Sequence, residues 1–283
     1  MQRLLDLSGL AWVGGETFLA VHDAKNPDEL RRVRVSLLML PQSLEGLLWK
    51  PLRLRFPGGP SSDVERAARI PGTDHVLLVE SGDDAGAFQR IFLAEVVGNR
   101  VRVTDFVEWH SFAAVFNVEA TAVAATDAGH LFMWAERASG AQDTTIQWAE
   151  LTLDPFAIGP KLGSAPFELP DELDDAHGDP LYTRPVVGME VDETGRIYIV
   201  AAFDPEGTVE DPDSGPFRGA VLEFGQVSGG TVVLDDDPIL LHTVDAFKLE
   251  SIASREVDGG IELFVGSDDE NYGGTLRPLP QQP

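Results

Sequence analysis

Cysteine is absent from the 283-residue chain, which excludes disulfides, thiolate metal sites and a cysteine nucleophile. Long apolar runs are missing too, and none approaches the ~20 residues that a membrane-spanning helix needs. Basic residues are scarce, 21 Lys and Arg against 47 Asp and Glu, for a formal charge of −26. A field of that sign repels nucleic acid and anionic membrane surfaces, so neither is expected as a partner. The chain has no Gly-x-Ser-x-Gly elbow, no His-Glu-x-x-His pair, no phosphate-cradling glycine loop and no dinucleotide fingerprint. His110, His130, His177 and His242 show no paired metal-ligand spacing.

What is present is a repeat. The apolar content of 43% suffices for a core, but 28 Gly and 19 Pro break it into short runs, which suits many short strands. Five weakly similar copies begin at Ser8, Glu65, Glu119, Val187 and Glu250. Each has a short apolar strand led by a small or acidic residue, a turn, and a second apolar strand that usually ends in acids. Turn signals fall at the same phase in each copy: Gly14-Gly15, Pro71-Gly72-Thr73-Asp74, Asp127-Ala128-Gly129, Asp192-Glu193-Thr194-Gly195 and Asp258-Gly259-Gly260. The spacing is long enough for one four-stranded propeller blade plus loops.

The pattern predicts an all-β chain, a single β-propeller domain over residues 1–283 with antiparallel four-stranded blades. Five blades are favoured. A sixth is open if the interval from Pro155 to Pro185 hides degenerate strands. The expected strands of blade one are Leu7–Val13, Thr17–His22, Arg34–Leu40 and Pro51–Phe56. Only three strands are readable in the last blade, while Gln2 to Asp6 stand unused ahead of the first. That N-terminal segment is expected to close the ring as a strand on the last blade, removing a free sheet edge. Trp12 and Trp134 read as core.

In a propeller the start of each first strand and the end of each second strand gather at one mouth of the channel. This brings together Glu65, Glu119 and Glu250 with His22, Asp23, Glu80, Glu136, Asp268 and Asp269. Crowded carboxylates raise one another's pKa unless a counter-charge relieves them. A calcium ion, with its flexible shell of six to eight oxygens, is the expected cofactor, held by Glu65, Glu119, Glu250 and Asp269. The competing expectation is that these acids pair with Arg66, Arg137 or Lys248. His22, beside Asp23, is placed as the general base.

The phrase Glu250-Ser251-Ile252-Ala253, with the strand that ends in Asp268-Asp269-Glu270-Asn271, resembles the closing blade of the esterase-like phytase domain family. Ser8-Gly9-Leu10-Ala11 through Phe18 to Asp23 resembles that family's first blade. The chain departs from the family at Ser251, where Gly is usual, and at Glu270, which separates Asp269 from Asn271. The resemblance implies a propeller with esterase or phosphoesterase action, and it places Glu250, Asp268, Asp269 and Asn271 at the mouth. The expected function is calcium-dependent hydrolysis of an ester, lactone or phosphoester. In that scheme His22, Asp23 and Asp268 are catalytic, and Glu80, Glu136, Arg137 and Asn271 contact the substrate. The alternative is a non-catalytic propeller that binds a protein or small ligand. A monomer with a small-molecule substrate or ligand is expected. The chain enters its first repeat almost at once, so a cytoplasmic location is expected, or a secreted one if a leader was trimmed.

Overall fold

The computed structural model describes residues 5–22, 34–41, 47–61, 63–82, 88–111, 117–137, 144–170, 173, 184–203, 217–269 and 273–280. Five antiparallel sheets form the five blades of a propeller, each built from consecutive strands running from the axis outward. Blade one contains β1 (Gly9–Gly14), β2 (Thr17–Val21), β3 (Val35–Met39) and β4 (Leu48–Leu52). Blade two contains β5 (Val64–Arg69), β6 (His75–Glu80), β7 (Arg90–Val97) and β8 (Arg100–Glu108). Blade three contains β9 (Val118–Thr126), β10 (Gly129–Glu136), β11 (Thr144–Leu153) and β12 (Phe156–Phe167). Blade four contains β13 (Arg184–Val191), β14 (Arg196–Phe203), β15 (Arg218–Ser228) and β16 (Thr231–Asp245). Blade five contains β17 (Leu249–Val257), β18 (Gly260–Ser267) and a short β19 (Leu276–Pro278). No α-helix occurs among the described residues; a 3-10 turn spans Trp109–Ser111.

β12 settles the blade count. The first part of the interval that left room for a sixth blade is the outer strand of blade three, paired with β11 from Leu153↔Phe156 to Thr144↔Phe167. The turns fall where their chemistry requires. Asp192 shows why: its Oδ1 accepts from the Thr194 N–H (2.7 Å), the Thr194 hydroxyl (2.6 Å) and the Arg196 N–H (3.1 Å), fixing the β13–β14 hairpin.

The core is divided among the seams between blades. One buried apolar cluster joins blades one and two around Leu37, Leu78 and Phe92. Another joins blades two and three around Leu77, Trp109, Phe132 and Trp134. A third joins blades three and four around Met133, Phe167 and Phe224, and a fourth joins blades four and five around Val187, Leu249 and Val265. The fifth, with Leu7, Phe18, Leu38 and Phe264, joins blade five back to blade one and closes the ring. Strand alternation makes this division possible, because a blade packed on both flanks must be apolar on both faces.

The N-terminal segment is tied to the last blade, one residue beyond the expected strand. The Leu7 N–H donates to the Ser267 carbonyl (3.0 Å) and the Ser251 hydroxyl donates to the Leu7 carbonyl (2.7 Å). Leu5 and Asp6 carry no strand ladder, and Gln2 to Leu4 lie outside the described residues. Blade five is accordingly three-stranded among the described residues.

The inner strands β1, β5, β9, β13 and β17 pack side by side around the axis. Their approach is close. A Cβ on Gly9 would sit 2.7 Å from the Ala67 nitrogen, and one on Gly188 would sit 3.2 Å from the Glu250 carbonyl oxygen. Gly9 and Gly188, directly after the lead positions of the first and fourth repeats, therefore permit this close approach.

Candidate functional site

The three lead glutamates share one structural device. In blade two Val64 pairs with Glu80 and Arg66 with Val79, leaving Glu65 as the extra residue of a β-bulge. In blade three Val118 pairs with Glu136 and Ala120 with Ala135, leaving Glu119 extra. In blade five Leu249 pairs with Ser267 and Ser251 with Gly266, leaving Glu250 extra. A bulge kinks its strand and re-aims the side chain it carries. Three bulges at one level of the ring turn the glutamates toward the channel end.

They gather around an arginine. Arg66 Nη2 donates to Glu119 Oε2 at 2.6 Å and lies 3.8 Å from Glu250 Oε2. Its Nη1 donates to the carbonyls of Ser8 (2.9 Å) and Glu65 (3.1 Å). One guanidinium on blade two thus touches blades one, three and five. Burial alone would lower the Arg66 pKa, but Glu119, Glu65 and Glu250 outweigh it and raise it above its ordinary value. Further cations complete the cluster. Arg137 Nε lies 3.3 Å from Glu119 Oε1, and Arg184 Nη1 and Lys248 Nζ lie 3.6 and 3.4 Å from Glu250 Oε1.

This arrangement bears on the expected calcium site. Guanidinium and ammonium groups supply the counter-charge that a cation would have brought. Among the described residues no group of three or more Asp, Glu or His could hold a metal ion. Asp269 is committed elsewhere: its Oδ1 accepts from the Lys248 N–H (3.0 Å) and its Oδ2 from the Ser267 hydroxyl (2.6 Å). Burial pushes its carboxyl up, against the pull of those two bonds. Where the calcium was expected, the described residues set arginine and lysine side chains against Glu119 and Glu250.

The structure places His22 away from solvent. It is wholly buried, with Nδ1 2.7 Å from the Asp6 carbonyl and Nε2 2.6 Å from the Ser36 hydroxyl. Nδ1 must therefore donate and Nε2 accept, so both ring nitrogens are engaged. Burial lowers its pKa to about 4, although the Asp6 contact pulls the other way. His22 holds the N-terminal segment against blade one and has no lone pair to offer a substrate. Glu80 is also structural: it is fully buried and gripped at both oxygens by Arg90 (2.6 and 2.9 Å), which reaches on to the carbonyls of Pro57, Gly59 and Pro60. Asp268 is buried at the end of blade five, where its N–H donates to the Lys248 carbonyl (2.9 Å). Glu136 is half-buried and accepts from Gln147 Nε2 (3.1 Å). Asp23 and Asn271 lie outside the described residues. Of the expected site, Glu65, Glu119, Glu250 and Arg137 come together. Sequence reasoning missed Arg184, whose side chain crosses from blade four. Its place at the start of β13, on the approach to the fourth repeat, was the available signal.

No family model matches the chain and no curated protein is similar to it. Solved structures are similar in fold. A thermostable family-43 glycoside hydrolase superposes with a TM-score of 0.55 at 9% identity, covering 98% of this chain and 90% of that one. An alpha-L-arabinanase mutant from Cellvibrio cellulosa gives 0.51 at 13% identity, covering 98% and 92%. An exo-beta-1,3-galactanase from Clostridium thermocellum gives 0.52 at 12% identity, covering 99% of this chain and 61% of that one. These comparisons overturn the resemblance to the esterase-like phytase domain family: the similar structures are family-43 glycoside hydrolases. At such low identity the likeness establishes the five-bladed propeller architecture.

Proposed function

We propose that the propeller binds a small molecule carrying a carboxylate or phosphate at the bulged end of its channel, with Arg137 and Arg184 receiving the anion. The observation that carries this reading is the layering of charge. The side chains of Glu119 and Glu250 are 4% and 6% exposed, whereas those of Arg137 and Arg184 are 38% and 18% exposed. An incoming ligand therefore meets guanidinium groups above buried carboxylates. A guanidinium presents its N–H donors in a planar fork that suits carboxylate and phosphate oxygens. The overall negative charge opposes an anion at long range, but salt screens it beyond roughly 8–10 Å. Contact with the arginines decides the balance.

The test is a thermal shift with inorganic phosphate, citrate and a sugar phosphate as probes. A ligand that binds only the folded state must raise the melting temperature. We expect a saturable rise with at least one probe, lost in Arg137→Ala and in Arg184→Ala. A wild-type protein indifferent to all three, or variants that respond like wild type, would overturn this reading.

Hydrolysis at the same place is the second reading. It is favoured by the fold likeness to glycoside hydrolases, which act through two carboxyl groups flanking the scissile bond. Glu119 and Glu250 approach the same nitrogen of Arg66, so they stand no further apart than those 2.6 and 3.8 Å contacts laid end to end. Against it, both carboxylates are engaged by cations, Glu119 by Arg66 and Arg137 and Glu250 by Arg66, Arg184 and Lys248. Chromogenic glycosides and esters assayed with Glu250→Gln as the control decide it: turnover that disappears in the variant establishes hydrolysis.

A further inference from the structure

Beside Arg66 the channel narrows to a cavity of about 10 Å³, the space of one water molecule. Two polar atoms on its lining are buried and meet no protein partner: Arg66 Nε and Thr121 Oγ1. The residues that carry them are only 5% and 4% exposed. Nη1 and Nη2 of Arg66 are bonded to Ser8, Glu65 and Glu119, so Nε is the one nitrogen of that guanidinium left without an acceptor. Buried donors without acceptors are rare in native proteins and point to an ordered water, an ion or a functional role.

We propose that this cavity holds one neutral water molecule, which accepts from Arg66 Nε–H and bonds to Thr121 Oγ1. Size sets the number: the cavity admits one oxygen atom, and the apolar side chains of Leu10, Met189 and Ile252 on the same lining bar a hydrogen-bonded chain down the axis. Charge sets the species. Glu119 and Glu250 already flank the Arg66 guanidinium, and a halide would bring a further negative charge to it. Water costs no such repulsion, and it can donate to Thr121 while accepting from Arg66. The water then fixes the plane of the guanidinium and, through it, the positions of the two glutamates. The assignment is independent of what ligand the mouth receives.

A crystal structure that resolves waters, from crystals soaked in sodium bromide, tests it. We expect a single oxygen-sized peak within hydrogen-bonding distance of both Arg66 Nε and Thr121 Oγ1, with no bromide anomalous signal. An anomalous peak there would make the site a halide site, and absent density would make the cavity dry; either overturns the proposal. Thr121→Val, which keeps the side-chain shape without the hydroxyl, gives a second measurement in solution. Its melting temperature should fall by roughly 2–6 °C, the response expected of a chain this size when a buried hydrogen bond is lost. Thr121→Ser should keep most of the stability. A Thr121→Val protein as stable as wild type also counts against the water.

Discussion

The two ends of the channel place glutamates on inner strands in opposite electrostatic settings. At the bulged end Glu119 and Glu250 meet Arg66, Arg137, Arg184 and Lys248. At the hairpin end Glu190, on β13, is as buried, but its partners are neutral: Oε1 accepts from the Ser254 N–H (3.1 Å) and hydroxyl (2.6 Å) on β17. The cation nearby is Arg69, which lies over the Trp12 ring and pairs with Glu193 at 2.7 Å. Burial, with a small addition from Asp192, raises the Glu190 pKa to about 7, and the Ser254 bonds and Arg69 only partly oppose it. The difference teaches that acids of similar burial in this ring meet different partners: cations at the bulged end, a hydroxyl and a backbone N–H at the hairpin end.

The sharpest way to break the comparison is to remove the shared cation. Arg66→Met should leave Glu119 and Glu250 short of counter-charge and destabilise the fold by about 3–5 kcal/mol near neutral pH, as removal of one partner from a buried pair does. Denaturant titration measures it. Adding Glu119→Gln should recover part of the loss, as expected for coupled neighbours.

His22 comes next, and its pH dependence runs opposite to that of Glu190. Its folded pKa, about 4, lies below the ordinary 6.5, so the unfolded chain binds the proton more tightly. Stability from this group is present above pH ~6.5 and is lost as pH falls toward ~4, by roughly 3 kcal/mol in all. His22→Gln should flatten that limb of a stability–pH curve, measured by denaturant midpoints.

Glu190 supplies the third test. Its folded pKa is raised, so its contribution is fully present below the unfolded value of about 4.5 and is lost as pH rises through 7. Wild type should lose roughly 1–3 kcal/mol from this group between those limits. Glu190→Gln keeps an acceptor for Ser254 and should abolish the loss. A variant with the wild-type slope would assign that loss to a group other than Glu190. The smallest effect is expected for Arg69→Ala: its ion pair with Glu193 is partly exposed, so melting should register at most about 1 kcal/mol.

Much of this architecture was legible before any coordinates. The repeat phase located the inner strands, and the lead residues Glu65, Glu119 and Glu250 proved to be the bulged positions themselves. Register was less legible. The outer strand of blade one, expected at Pro51–Phe56, is Leu48–Leu52. Both stretches alternate, and alternation cannot choose between neighbouring registers until a partner strand, here β3, is in place. Trp134 is core as read, whereas Trp12 is half-buried beneath Arg69, because the ring of blades ends at that level.

By itself the sequence determined the class of fold, the turns and the level of the channel at which acids appear, since these depend on periodicity and local backbone chemistry. Only the tertiary structure decided what those acids do. Arg66 and Glu119 are 53 residues apart, and Arg184 reaches Glu250 from another blade. Whether a carboxylate meets a guanidinium, a hydroxyl or a metal depends on distances of a few ångströms across the ring. No local pattern in the chain encodes such distances, because they are set by the packing of five blades against one another.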